Sequence, residues 1–93
     1  MRKSKDNGLN VHLYPNPANE LLNVEIQTGA DAQIEIEIID DAGRTIMTQT
    51  IDKSVKAGKH IFEVNTAALP QSNYTLRVKS DHAIANHKFV IIK

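Results

Sequence analysis

The feature of this chain that most restricts its fold is a strict alternation of apolar and polar residues. The alternation is clearest over residues 33–38, where three isoleucines alternate with Gln33, Glu35 and Glu37. A period of two places successive side chains on opposite faces of a β-strand, so this segment is expected to have one buried and one solvated face. No apolar stripe with a 3.6-residue period is long enough to form a helix.

The same alternation recurs along the chain, with turn residues every eight to twelve positions. Strands are predicted near residues 9–14, 22–27, 33–39, 44–52, 60–65, 74–79 and 86–92. The segment 40–43 between two of them is predicted to be a turn in which Gly43 adopts a positive φ. Short strands at this spacing predict an all-β fold, an immunoglobulin-like antiparallel β-sandwich of about seven strands.

Composition supports this fold class. The chain contains 11 Ile, 6 Val and 6 Thr against 6 Leu, and side chains branched at Cβ pack well on a pleated sheet. Aromatic residues make up only 4% of the chain, so the core is expected to be aliphatic. The predicted core residues are Leu22, Val24, Ile26, Ile34, Ile36, Ile38, Phe62, Val64, Leu76 and Val78.

Charge and cysteine content exclude several classes of function. Lys and Arg together number 11, as do Asp and Glu, so no basic surface for nucleic acid is expected. There is no cysteine, hence no disulfide framework and no thiolate nucleophile. No apolar stretch is long enough to insert into a membrane as a helix. Residues 1–8 are polar and are expected to form a disordered linker or an artificial boundary, not a signal peptide, which leaves 9–93 as one domain.

The titratable residues show no catalytic or metal-binding pattern. His82 and His87 are five positions apart and would face opposite sides of a strand, while His12 and His60 belong to different predicted strands. Glu35 and Glu37 share a face, but alternating acids on a solvated strand face need no catalytic role. The sequence therefore predicts that the protein is not an enzyme and requires no metal or cofactor.

Two segments carry features that a generic sandwich does not require. In Tyr14-Pro15-Asn16-Pro17 the prolines fix φ and remove two backbone donors, which makes a stiff exit from the first strand. The last six residues, 88–93, form a predicted strand that is apolar on both faces, with Phe89 and Ile91 on one face and Val90 and Ile92 on the other. Such a strand is either buried on both faces or awaits a partner, and as an edge strand it would offer unpaired backbone groups to a receptor.

These segments resemble blocks of the type A C-terminal sorting domain of the type IX secretion system, found in Bacteroidetes. The resemblance covers residues 11–93 in order: 14–18 followed by Leu22 and Val24, then 38–44, 58–64, 69–74 and 88–93. One position departs from the family, since Ser72 stands where a glycine is usual, two residues before Tyr74. Because Asn73 tolerates left-handed conformations, the turn there is expected to shift by one residue.

The resemblance implies a secretion signal at the end of a larger cargo protein. The cargo would be exported through the periplasm and across the outer membrane by the type IX translocon, and would end as a secreted or cell-surface protein. A sortase-like cysteine protease would then remove the domain by cutting within residues 1–10. The residues implied to contact the translocon are Pro15, Asn16, Pro17, Gly43, Leu69, Pro70, Tyr74, Lys88, Phe89, Val90, Ile91, Ile92 and Lys93.

Other classes of function remain open at this point. An immunoglobulin-like carbohydrate-binding or adhesion module of a secreted protein is the main alternative. Such a module would need an exposed aromatic platform, which only Tyr14, Phe62, Tyr74 or Phe89 could provide. A structural spacer domain is a third interpretation, although it gives no reason for a patterned C-terminus.

Overall fold

The computed structural model describes residues 9–51, 54–81 and 83–93, and these form seven β-strands with no helix. The strands are β1 (Asn10–Tyr14), β2 (Leu21–Thr28), β3 (Ile34–Ile39), β4 (Thr45–Thr50), β5 (Gly58–Asn65), β6 (Ser72–Ser80) and β7 (Ile84–Ile91). The predicted all-β class is confirmed. In the described part of the chain there is accordingly no helix able to cross a membrane. The expectation of disorder at 1–8 falls outside the described residues.

The strands form two antiparallel sheets that pack as a sandwich. One sheet has the order β1-β2-β5, and the other has the order β4-β3-β6-β7. These orders correspond to strands A-B-E and C′-C-F-G of immunoglobulin-like domains, with the fourth strand placed beside the third. The predicted immunoglobulin-like β-sandwich is therefore confirmed, and β7 lies at the edge of its sheet.

The core consists of the inward-facing residues of both sheets. Nine of the ten predicted core residues are buried, and Phe62 alone is half-buried. Phe62 lies on β5, which is an edge strand, so one side of its ring lacks a neighbouring strand. The core also includes residues outside the predicted list, among them Ala18, Tyr74, Phe89 and Ile91.

The sandwich has two ends, which we name after one residue in each. The Pro15 end comprises residues 14–20, 39–45, 65–73 and 88–93, where β1, β3, β5 and β7 finish. The Gly58 end comprises residues 9–10, 28–34, 54–59, 79–81 and 83–84, where the same four strands begin. Every block of the resemblance except 58–64 reaches the Pro15 end.

Candidate functional site

The Pro-rich segment lies along the free edge of the last strand. Ala18 forms a parallel bridge with Ile91, in which the Ala18 N–H donates to Val90 O at 2.8 Å and the Ile92 N–H donates to Ala18 O at 3.0 Å. The Val90 N–H donates to Asn16 Oδ1 at 3.1 Å, across 74 positions of sequence. Both X-Pro bonds, Tyr14-Pro15 and Asn16-Pro17, are cis. The two segments singled out in the sequence are therefore in direct contact.

Only part of the β7 edge is covered in this way. Alternate residues of an edge strand direct their backbone groups away from the sheet. The outward backbone groups of Val90 and Ile92 bond residues 16–18, whereas those of Asn86 and Lys88, which face the same way, make no such bond with another described residue. The tail at 88–93 is thus part of an edge strand, but the expectation that it offers unpaired amides is wrong for Val90 and Ile92, whose N–H groups bond Asn16 and Ala18.

The loop at 66–71 holds the chain terminus. The Lys93 N–H donates to Gln71 Oε1 at 3.0 Å, and Lys93 Nζ donates to Ala67 O at 2.8 Å and to Thr66 O at 3.4 Å. Thr66 is fully buried, and its N–H and Oγ1–H donate to Glu20 O at 2.8 Å and Asn19 O at 3.2 Å. This loop therefore joins the segment after the prolines to the last residue.

Tyr74 links the same loop to the core. Its hydroxyl donates to Pro70 O at 2.5 Å, and its ring stacks on Phe89 with centroids 5.6 Å apart. This is the tyrosine corner of immunoglobulin-like sandwiches, a tyrosine near the start of strand F that bonds backbone just upstream. Burial is the main cause that raises the pKa of Tyr74, and the nearby Asp41 and Asp40 carboxylates add to it.

The departure at Ser72 does not disturb this region. Ser72 begins β6 and pairs with Ile91, and Asn73 pairs with Val90. Both residues lie in regular strand, so the expected shift of a turn to Asn73 was wrong. The turn instead precedes the strand, within the 66–71 loop.

The turn between β3 and β4 is also part of the Pro15 end. Gly43 has φ of 88°, as predicted for this turn. Asp40 Oδ1 accepts from the N–H of Arg44 at 2.9 Å and of Ala42 at 3.0 Å, and its Oδ2 contacts Arg44 Nε and Nη2, each at 3.1 Å. The Arg44 N–H is the main cause that holds the pKa of Asp40 below its usual value, assisted by Ala42 and the guanidinium and opposed by burial.

A groove of about 560 Å³ lies between this turn and β7. It is lined by six of the thirteen expected site residues, namely Asn16, Gly43, Tyr74, Lys88, Phe89 and Val90. The other seven lie at the same end outside the groove. Among these, Ile91 is fully buried and Ile92 is half exposed.

Sequence reasoning missed other residues of this groove and its supports. Ile39, Asp40, Asp41, Asn73 and Thr75 also line the groove. Thr66 and Gln71 hold the neighbouring loop and the terminal lysine. Five of these seven residues lie within the blocks of the resemblance at 38–44 and 69–74, but the polar ones read as ordinary turn or surface residues, and only the fold gives the seven a common location.

The remaining acidic and histidine side chains named in the sequence either contact neighbouring residues or are exposed to solvent. Glu35 is paired with Lys79 at 3.2 Å, and Glu37 lies 3.6 Å from Arg77 and 3.7 Å from Lys79. His60 Nε2 lies 2.7 Å from Lys56 O, while His12 and His87 are exposed, and His82 is outside the described residues. No group of His, Asp and Glu suited to a metal ion occurs within the described ranges.

The chain matches one family model. Residues 12–93 match the model described as a secretion system C-terminal sorting domain. The matched segment includes every residue of the Pro15 end and all of the groove. No curated protein matches the chain.

Proposed function

The chain belongs to the type IX secretion C-terminal sorting domain family, and we propose that its Pro15 end is the surface by which the type IX translocon recognises a cargo. In this proposal an N-terminal cargo precedes the domain in the full-length protein. The translocon binds the folded domain and moves the cargo across the outer membrane. The cargo is then secreted or remains at the cell surface.

The observation that carries this proposal is the meeting of distant sequence blocks at one end of the sandwich. Asn16 bonds Val90, Lys93 bonds the carbonyls of Thr66 and Ala67, and Tyr74 bonds Pro70 while it stacks on Phe89. A sandwich can close an edge without a proline-rich segment or an anchored C-terminal lysine. The concentration of these features supports a recognition surface.

We also propose that processing takes place at the opposite end. The sortase-like cysteine protease would cut the stretch 1–10 that joins cargo to domain. Within that stretch Leu9 is buried and Asn10 starts β1, both at the Gly58 end. A strand of five residues spans about 17 Å, so β1 separates Leu9 from the start of the recognition surface at Tyr14 by about that distance. On this proposal the domain is a substrate of the chemistry and performs none.

The positions of the aromatic residues argue against the carbohydrate-binding alternative. Sugar recognition of that kind needs an exposed aromatic face, but Tyr74 is 4% exposed and Phe89 is 1% exposed. Phe62 is half-buried against the core. Tyr14 is the one aromatic residue of the described chain with a substantial exposed surface, at 40%, and a single ring is a poor platform.

The proposal is tested with a reporter fused in front of residues 1–93 and behind a periplasmic signal peptide, in a Bacteroidetes host. We expect the reporter to appear outside the outer membrane. Deletion of residues 89–93 is expected to leave it in the periplasm. An intact fusion that stays periplasmic while folded and soluble contradicts the proposal.

A single substitution separates recognition from folding better than this deletion, which also removes buried Phe89 and Ile91. Lys93→Met removes the ammonium group that donates to the carbonyls of Ala67 and Thr66, and should lower the free energy of unfolding by about 0.5–1.5 kcal/mol, far less than the deletion. Lys59→Met, on the exposed face of β5, is the control for the loss of a lysine charge elsewhere on the surface. We expect export to decrease with Lys93→Met and to stay unchanged with Lys59→Met.

A further inference from the structure

We propose that the groove between the 40–43 turn and β7 binds an extended polypeptide segment of the export machinery. The segment carries an acidic side chain facing Lys88, apolar side chains over the floor, and a basic side chain facing Asp41. This inference rests on the proposed function and names the chemistry of the partner at that surface.

The floor of the groove is a preformed surface of paired strands that includes the apolar side chains of Ile39 and Val90. Ile39 pairs with Thr75, and Thr75 pairs with Lys88, so these three residues form one row across β3, β6 and β7. Val90 lies in the next row and is half-buried, and beneath these rows the Tyr74 and Phe89 rings stack. A preformed floor lowers the ordering cost of binding, because few protein groups must be immobilised.

The charges on the two walls are opposite and available. The Asp40 carboxylate is already occupied by Ala42, Arg44 and the Arg44 guanidinium. Asp41 on the turn and Lys88 on β7 are exposed, and the side chain of neither residue makes a hydrogen bond or ion pair with another described residue. The groove therefore presents a carboxylate on one wall and an ammonium on the other.

The separation of the walls sets the spacing of the partner's charges. β3 and β7 are two strand positions apart, which is about 9–10 Å at the usual spacing between strands. An extended chain rises about 3.3 Å per residue, so a segment that crosses from one wall to the other would carry its acidic and basic residues at its two ends, about three positions apart. The two residues between them would lie over the floor, with one of the two side chains directed at it. The groove volume of about 560 Å³ is large enough for such a segment.

The first test uses capped synthetic peptides and the amide NMR spectrum of the isolated domain. Glu-Val-Val-Lys and Lys-Val-Val-Glu should both shift the amide resonances of Ile39, Thr75 and Val90, because a free peptide can bind in the groove in either chain direction. Glu-Val-Val-Glu and Lys-Val-Val-Lys should bind about two- to fivefold more weakly, the range for an exposed ion pair. Absence of these shifts at millimolar peptide, or equal binding of all four peptides, contradicts the proposal.

Charge reversals provide an internal control for the peptide test. Lys88→Glu makes both walls acidic and Asp41→Lys makes both basic, so each should weaken binding of the mixed-charge peptides about two- to fivefold. The double reversal restores opposite walls and should restore binding. A double variant that binds no better than the single variants overturns the assignment of these two residues.

The second test applies the same variants to the reporter fusion. We expect Lys88→Glu and Asp41→Lys to reduce export at least twofold, with unchanged melting temperatures. The matched controls are Lys59→Glu and Glu63→Lys on the exposed face of β5, which should leave export unchanged. If the unsubstituted fusion is exported and both groove variants are exported equally well, this inference is overturned and the proposed function stands. If the unsubstituted fusion itself stays in the periplasm, both the inference and the proposed function are contradicted.

Discussion

The two ends of the sandwich are closed by similar bonds but join different parts of the chain. At the Gly58 end Ala32 and Val55 exchange backbone hydrogen bonds of 2.8 and 2.9 Å, and the Gln33 N–H donates to Asp81 Oδ1 at 3.1 Å. These bonds connect loops between successive strands. At the Pro15 end the bond from Val90 to Asn16 joins the last strand to the segment after the first.

The two ends also differ in the surfaces they present. The groove at the Gly58 end is smaller, about 410 Å³, and is lined by Gln33, Ile34, Glu35, Thr50, Lys79, Ser80 and Asp81. None of these was expected from the resemblance. Closing a sandwich thus requires polar bonds at both ends, whereas the proline segment and the Lys93 bonds to the 66–71 loop occur at one end only. On the proposed function, these additional features serve recognition.

The largest expected losses of stability come from substitutions in the core. They should be similar at the two ends, because the core extends to both. Phe89, at the Pro15 end, is 1% exposed, and Ile34, at the Gly58 end, is 2% exposed. Phe89→Ala should lower the free energy of unfolding by about 3–5 kcal/mol and Ile34→Ala by about 2–5 kcal/mol. Urea denaturation measures both. A cost below about 1 kcal/mol for one of them would mean that the core does not extend to that end.

A matched pair of buried threonines should distinguish the ends. Thr66 Oγ1–H donates to Asn19 O at 3.2 Å, whereas Thr28 Oγ1 is buried without a hydrogen-bond partner among the described residues. Thr66→Val should destabilise the domain by about 0.5–1.5 kcal/mol, but Thr28→Val should be neutral or stabilising. Equal losses in urea denaturation would show that the Thr66 bond contributes nothing specific to the Pro15 end.

Alkaline pH should weaken the Pro15 end through Tyr74. Its pKa is raised above 10.0, so the folded state holds the phenol proton more tightly than the unfolded state. The corresponding stability is present below pH 10.0 and is lost as the pH rises through the raised pKa. Tyr74→Phe should remove this part of the alkaline loss and cost about 0.5–1.5 kcal/mol at neutral pH.

The control for this pH prediction is Tyr14→Phe, at the same end but 40% exposed. It should change stability by less than about 0.5 kcal/mol and keep the alkaline loss. The measurement is the melting temperature between about pH 8 and about pH 11, a range that spans the usual tyrosine pKa of about 10. An unchanged pH profile for Tyr74→Phe would contradict the assigned role of its hydroxyl.

Local pattern was enough to predict the strands and most of the core. Alternation is a property of neighbouring residues, and burial of one face follows from it. Phe62 shows where this reasoning stops, because its burial depends on β5 being an edge strand, which is not encoded locally. The starts of β5 at Gly58 and β7 at Ile84, each two residues before the predicted position, show the same limit at strand ends.

The site was predictable as a set of segments but not as a surface. The prolines and the apolar tail could be singled out from the sequence, yet nothing local indicates that Asn16 reaches Val90. The roles of Thr66 and Gln71 depend on contacts between loops that are far apart in sequence. Such contacts are decided by sheet order and by the direction in which each loop leaves its strand.

The most direct test of the account compares one bond of the same kind at each end. Asn16 Oδ1 accepts from Val90 N–H at the Pro15 end, and Asp81 Oδ1 accepts from Gln33 N–H at the Gly58 end, each at 3.1 Å. Asn16→Ala and Asp81→Ala should each lower the free energy of unfolding by about 0.5–1.5 kcal/mol. In the reporter fusion, we predict that Asn16→Ala reduces export across the outer membrane and that Asp81→Ala does not. Equal export of the two variants, or a greater loss with Asp81→Ala, would contradict the claim that the Pro15 end is the export signal.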